Sequence, residues 1–431
     1  MTAKIYHADL YGSRAHKYKT LLDSSLQDID WQELSPNTPF YLFVPQEQLH
    51  REQYDAWPKI TDVFPVNSVG IVTARDKLAI RFTEQEVWET AKDFAALPVE
   101  TAREKYKLGP DARDWKVTLA QKDLNTSGKT HSLSKANIMP VLYRPFDTRY
   151  TYYTGHSRGF LCMPRNDVMR HMLAGKNVAL ITSRMTKGEA FQHLQATRSI
   201  VEVICMSPKT SNNGFVFPLW LYPKEGTLEQ HAERQPNLAP AFLQALQHAI
   251  GHPPTPEDVF HYAYAIFHAP TYRTRYAPFL KTDFPRLPLP PNADAFQTLA
   301  ALGSKLVALH LLEDPALAKH GIGFPIAGDH TVQKMKDAAR YTPPAQGGTK
   351  GRVKLNATEY FDNVPLAAWE FQVGGYRPAS KWLADREGRR LTAPDIDHYR
   401  RTLAALRETA ALLPQVDAAF TAAFPLPAAA Q

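Results

Sequence analysis

Residues 138–153 read IMPVLYRPFDTRYTYY, and this stretch decides the fold. An apolar, aromatic run reaches Tyr143, Pro145 interrupts it, and a second strand-like segment rich in Tyr and Thr follows. Further apolar runs at residues 178–181, 200–206 and 215–222 read as strands, and residues 167–173 read as a short helix after the turn Pro164-Arg165-Asn166. Strands alternating with a helix predict an α/β block over residues 138–223 with its own core.

Outward from that block the signals change. Toward the N-terminus, residues 4–10 and 40–44 read as short strands and residues 68–82 as a hairpin or strand-turn-strand. Thr83 followed by Glu86 is an N-cap signal for a helix ending before Pro98, and a second short helix precedes Gly109. Toward the C-terminus, residues 223–256 are rich in Pro, Gln and Glu and read as loop and linker. Helices are expected at 258–268, 272–280, 298–312 and 395–413, alternation returns between 332 and 371, and residues 424–431 form a Pro/Ala tail. The fold class expected is mixed α/β (α+β) with a largely helical C-terminal part, divided at 1–97, 98–223, 224–256 and 257–431.

The chain has 431 residues, 44% hydrophobic and 22% charged, which excludes a small disulfide scaffold and a disordered chain. Its two cysteines, Cys162 and Cys205, lie in no metal or disulfide pattern, and no run of eighteen apolar residues occurs. A cytoplasmic protein without a membrane segment is expected. The net charge of +7 is concentrated, because residues 142–210 hold ten basic and four acidic side chains interleaved with aromatics. Such a block suits phosphates and bases, or else is a solvated face over an aromatic core.

Catalytic signatures are missing: no phosphate-binding G-x-x-x-x-G-K-[ST], no G-x-G-x-x-G, no H-E-x-x-H, no G-x-S-x-G and no E-x-K. Asp111 with Asp114 is the nearest approach to a carboxylate cluster and is too compact for the usual metal-holding spacing. Several blocks nonetheless occur in one order: Tyr6-His7-Ala8-Asp9-Leu10-Tyr11-Gly12, Pro39-Phe40-Tyr41-Leu42-Phe43-Val44-Pro45, Gly70-Ile71-Val72-Thr73-Ala74-Arg75-Asp76, Arg113-Asp114-Trp115, Tyr143-Arg144-Pro145-Phe146-Asp147-Thr148-Arg149, Asp283-Phe284-Pro285-Arg286 and Gly374-Gly375-Tyr376 with Lys381-Trp382-Leu383. In these blocks the chain resembles the end of the methyltransferase region and the specificity region of type ISP restriction-modification enzymes.

That resemblance implies an α/β DNA-recognition domain whose partners are duplex DNA and the methyltransferase and helicase/nuclease regions, in cis or as a separate chain. S-adenosylmethionine, ATP and magnesium are implied only for those catalytic regions, and no cofactor is expected in this chain. Neither N-P-P-Y nor D-P-P-Y, the family's adenine-holding loop, occurs here. Two other classes remain open: an assembly scaffold with weak, nonspecific nucleic-acid binding, and an undetected nuclease or methyltransferase.

Candidate DNA-binding residues follow from donors near turns. Arg144 and Arg149 can read guanine or clamp a phosphate if they face a groove; alternatively Asp147 pairs with an arginine and braces the turn. Arg158, between Gly155 and Gly159, reads as part of a mobile loop, and Arg165 and Arg170 flank a helix start where amides favour phosphate. Thr182, Ser183, Arg184 and Lys187 follow a strand and would be held in fixed positions. Lys209, Asn212 and Asn213 lie in a comparable loop, and Arg389 and Arg390 form a second basic cluster. The aromatics between Tyr262 and Phe279 are expected in the core.

Overall fold

Phe146 takes a left-handed φ of 60° and turns the chain, so strands Ile138–Arg144 and Asp147–Tyr152 pair antiparallel from Ile138 opposite Tyr152 to Arg144 opposite Asp147. Ile200–Val201 joins the first strand in parallel on its other side. Helix Glu84–Ala96 packs on this hairpin, started by a Thr83/Glu86 capping box as the sequence predicts. These elements belong to a computed structural model that describes residues 3–36, 38, 41–45, 50–126, 133–224, 233–345 and 348–426.

A second sheet runs in the order Ser68–Val69, Gly214–Pro218, Ala179–Ser183, Leu194–Thr197, all antiparallel. Every residue of Ala179–Ser183 and Leu194–Thr197 is buried; the first reads as an apolar run at 178–181, whereas Leu194–Thr197, with Gln195 and Thr197 in it, does not read as a strand. Helices Pro256–His268, Ala293–His310 and Ala393–Ala423 pack together into the helical part. Gly303 permits the close approach, because a Cβ there would stand 1.9 Å from the His261 carbonyl oxygen. Tyr262, Tyr264, Tyr272 and Tyr276 are buried, as expected of core aromatics. Strands Tyr341–Thr342, Gly351–Lys354 and Tyr360–Val364 form a third sheet, whose last strand meets the terminal helix.

The chain divides into two compact units, residues 1–56 and 57–431. In the first, Ile5–His7 pairs with Gln32–Leu34 and helix Arg14–Asp23 buries none of its residues. The divisions expected at 97/98, 223/224 and 256/257 all fall within the second unit.

Four local expectations are corrected. Residues 41–45 form no strand, and Phe40 lies outside the described residues. Residues 68–82 make no hairpin: Ile71 and Val72 bridge to Glu202 and Met163 from distant segments, and Asp76–Ala79 is a short helix. The expected linker contains helix Pro240–Ile250, which buries Phe242, Leu246 and Ile250 at four-residue intervals; residues 225–232 of that linker lie outside the described residues. The terminal helix continues past Pro414 to Ala423, since burial of Val416 and Phe420 and the capture of Thr271 by Asp417 offset the hydrogen bond that proline removes.

Candidate functional site

Strand Ala179–Ser183 ends at Arg184, and the loop that follows is held by Glu189. This carboxylate accepts from Asn212 Nδ2 at 2.8 Å, from Ser207 Oγ at 2.9 Å and from His193 Nε2 at 2.9 Å. Asn212 Oδ1 in turn accepts from the Lys187 amide at 3.0 Å, so loops 184–189 and 207–213 are joined through their interiors. Asn212 and Ser207 hold the Glu189 carboxyl below its ordinary value although burial opposes them. Burial pushes His193 down to about 4 against the pull of Glu189, leaving a neutral ring that donates from Nε2.

The Gly374-Gly375 turn closes this knot from the C-terminal part. The Gly374 amide donates to Gln192 O at 2.7 Å and the Gly375 amide to Met206 O at 2.8 Å. Gly374 has a φ of 60°, and a Cβ on it would lie 1.9 Å from Met206 O. Three cations stand outside: Arg184, Lys187 and Lys209 are exposed. Arg184 shares Asp283, at 3.3 Å, with Lys59, and Lys209 donates to Gly188 O at 2.7 Å. Lys187 has no carboxylate within ion-pair distance among the described residues. The result is a basic rim on fixed backbone.

The other donors of these loops point inward. Thr182 and Ser183 are fully buried, with Ser183 Oγ donating to Asn212 O at 3.2 Å and Thr182 Oγ1 lacking a partner among the described residues. Asn212 is equally buried, its amide spent on Glu189 and Lys187, while Asn213 is half-buried. The expectation that Thr182, Ser183 and Asn212 present donors outward is corrected accordingly.

The hairpin arginines are inside as well. Arg144 donates to Glu202 at 2.6 Å, and Arg149 donates to Asp147 and Asp385 at 2.7 Å each. Arg386 donates to the other oxygen of Asp147 at 2.8 Å. Burial would raise the Asp147 carboxyl, but Arg386 and Arg149 hold it below its ordinary value. Of the two readings of Arg144-Pro145-Phe146-Asp147-Thr148-Arg149, the structure has the braced turn, and neither arginine faces a groove.

Loop 154–160 is not loose. The buried Asp123 accepts from Thr154 Oγ1 at 2.8 Å, His156 Nδ1 at 2.9 Å and the Phe160 amide at 2.9 Å. Arg158 sits at φ 60° with its amide on Cys162 O, and its side chain, 67% exposed, reaches Asp114 at 3.8 Å. The mobile loop expected here is therefore a pinned one. Arg165 is half-buried, its Nε without a described partner, at the start of helix Asn166–Leu173; Arg170 turns to Tyr222 O at 2.8 Å. Burial pushes the Cys162 thiol above its ordinary value, and Asp114 adds to this while Arg165, Arg158 and Arg75 oppose it.

Arg389 pairs with Glu86 at 3.0 Å and lies over Phe82, while Arg390 is exposed. Both border a cavity of about 760 Å³ together with Lys135, a residue that sequence reasoning missed because no motif surrounds it. Glu189 was missed too. Its role shows only once Ser207 and Asn212, 18 and 23 residues on, are brought to it beside His193. Among the described residues there is no group of three His, Cys, Asp or Glu side chains able to hold a metal, and no helix is long and apolar enough to cross a membrane.

A mixed α/β scaffold that fixes a basic rim defines the class. Three solved structures share the fold: a DrdV–DNA complex (TM-score 0.66, 21% identity, 97% of this chain and 42% of that one), a nuclease-deletion mutant of the Type ISP restriction-modification enzyme LlaGI with a DNA substrate mimic (0.64, 22%, 96% and 33%), and the ATP-dependent Type ISP enzyme LlaBIII bound to DNA (0.69, 17%, 96% and 27%). This chain thus spans less than half the length of each. No curated protein matches it. Residues 62–415 match the family described as the Type ISP C-terminal specificity domain, and the chain belongs to that family.

Proposed function

We propose that this chain is the sequence-specific duplex-DNA recognition module of a type ISP restriction-modification system. In this role it positions an adenine amino-group methyltransferase and the associated translocase and nuclease over their site. The observation that carries the reading is the specificity-domain match over residues 62–415. The rim of Arg184, Lys187 and Lys209 supports it, because donors on hydrogen-bonded loops reward one base arrangement over another. All three neighbours are described as DNA complexes or DNA-bound. The setting is the cytoplasm. Methyl donor, ATP and magnesium belong to the catalytic regions and not to this chain, which by itself neither methylates nor cuts DNA.

A gel-shift titration of the chain at several salt concentrations, on a selected cognate duplex and a random one, is the test. Binding that falls steeply with salt and favours the cognate duplex is expected. Equal affinity for both duplexes leaves only the scaffold reading, and incorporation of label from a methyl donor overturns the division of labour.

A further inference from the structure

The cavity beside Arg389 has a composition that the recognition rim does not use. It opens between the N-terminal ends of helices Glu84–Ala96 and Ala393–Ala423 and is bordered by Phe82, Trp88, Tyr150, Lys135, Arg389 and Arg390. At about 760 Å³ it is roomy enough for a ligand of nucleotide size.

Its cations differ in how far they are already engaged. Arg386 and Arg389 stand 4.9 and 4.0 Å from the Phe82 ring centre, but the first is bound to Asp147 and the second to Glu86. Lys135 stands 5.5 Å from the Trp88 ring centre. Neither Lys135 nor Arg390 has a carboxylate within ion-pair distance among the described residues, although Arg390 does act on the exposed Asp329. On the acidic side, Asp395 is engaged by the Thr392 amide and hydroxyl, at 2.9 and 2.7 Å. Glu84 has no such partner among the described residues. Trp382, 2% exposed, also borders the cavity, and its indole N–H has no acceptor among the described residues.

Aromatic walls, two cations without a carboxylate at ion-pair distance, the buried Trp382 indole N–H without an acceptor, and the Glu84 carboxylate without a hydrogen-bond donor among the described residues make a set for one ligand chemistry. We propose that this cavity binds a single nucleotide, with the base against Trp88 and Tyr150 and the phosphate at Lys135 and Arg390. Glu84 then accepts from an exocyclic amino group. The nucleotide has two sources: a free mononucleotide, or a nucleotide unstacked from a nucleic-acid strand. The second source rests on the DNA-recognition reading above, and the first does not.

The full chain is titrated with deoxyadenosine monophosphate, with inorganic phosphate, and with two short duplexes that differ only by one extrahelical adenosine. Each titration is repeated on the double variant Lys135→Ala/Arg390→Ala, on Trp88→Phe, and on the rim variant Lys187→Ala. Mononucleotide binding that weakens about tenfold in the double variant, by a smaller factor in Trp88→Phe, and little in Lys187→Ala, supports the free source. A several-fold preference for the bulged duplex, lost in the double variant and kept in Lys187→Ala, supports the strand-borne source. Mononucleotide binding without any duplex binding keeps the cavity site and overturns the DNA-recognition reading instead. The proposal is overturned when the mononucleotide binds no tighter than inorganic phosphate and the bulged duplex no tighter than its partner, or when the double variant binds like the parent chain.

Discussion

Two regions of this molecule carry basic residues beside turns, and they use them in opposite ways. In the hairpin Ile138–Tyr152 the guanidinium groups of Arg144 and Arg149 turn inward to Glu202, Asp147 and Asp385. At the rim, Arg184, Lys187 and Lys209 turn outward from loops whose polar side chains are buried beneath them. The difference lies in where the acids are. Asp147 and Glu202 are nearly inaccessible, at 1% and 3% exposure, and each draws a buried arginine inward as its partner. At the rim Glu189 is satisfied chiefly by neutral donors, Asn212, Ser207 and His193; Lys209 reaches it only at 3.8 Å, and Lys187 has no carboxylate within ion-pair distance among the described residues.

The sharpest way to break this comparison is Asp147→Ala. It leaves Arg149 and Arg386 facing each other without their shared carboxylate, and a loss of about 3 to 5 kcal/mol in stability is expected in urea denaturation. A loss under about 1 kcal/mol would mean that the clamp is solvated and the hairpin arginines resemble the rim after all.

The rim should behave in the reverse sense. Arg184→Ala should leave urea stability nearly unchanged, since its pair with Asp283 is half exposed. It should cost about 1 to 3 kcal/mol on a cognate duplex and little on random DNA. An unchanged cognate-to-random ratio would move the reader of bases to Lys187 or Lys209.

Acidification separates the regions by another route. Burial pushes His193, beneath the rim, and His171 down to about 4, with Arg170 adding to the effect at His171. The unfolded chain takes up these protons near pH 6.5 and the folded chain only near pH 4. Stability present above pH 6.5 is therefore lost as pH falls toward 4. The midpoint of thermal unfolding should fall across that window, and less in His193→Gln. A midpoint that is flat from pH 7 to 4 would contradict the buried, neutral rings.

The smallest effect belongs to Arg158. Its backbone is pinned, but its side chain is two-thirds exposed and only 3.8 Å from Asp114. Arg158→Ala should weaken binding to every duplex about equally and lower the salt slope by roughly one unit. A larger loss on the cognate duplex would make it a base reader.

The sequence by itself determined the element types wherever the signal is local. The Thr83/Glu86 capping box, the strand-like runs on either side of Pro145, the buried strand before Arg184 and the aromatic helix Pro256–His268 follow from neighbours a few residues apart. It also determined that charge collects between residues 142 and 210, and the resemblance that its motifs carry. It could not tell which of those charges meet solvent. Asp147 meets Arg386 across 239 residues and Arg149 meets Asp385 across 236. Similarly, Asn212 could be assigned to an outer loop or an inner brace until Glu189 was brought within 2.8 Å of it. Burial and pairing depend on side chains distant in sequence, and an arginine looks the same in a one-dimensional pattern whether a carboxylate or water awaits it. Only the tertiary structure made that choice, because desolvating a charge is costly enough that each buried one must find its partner wherever the chain has placed it.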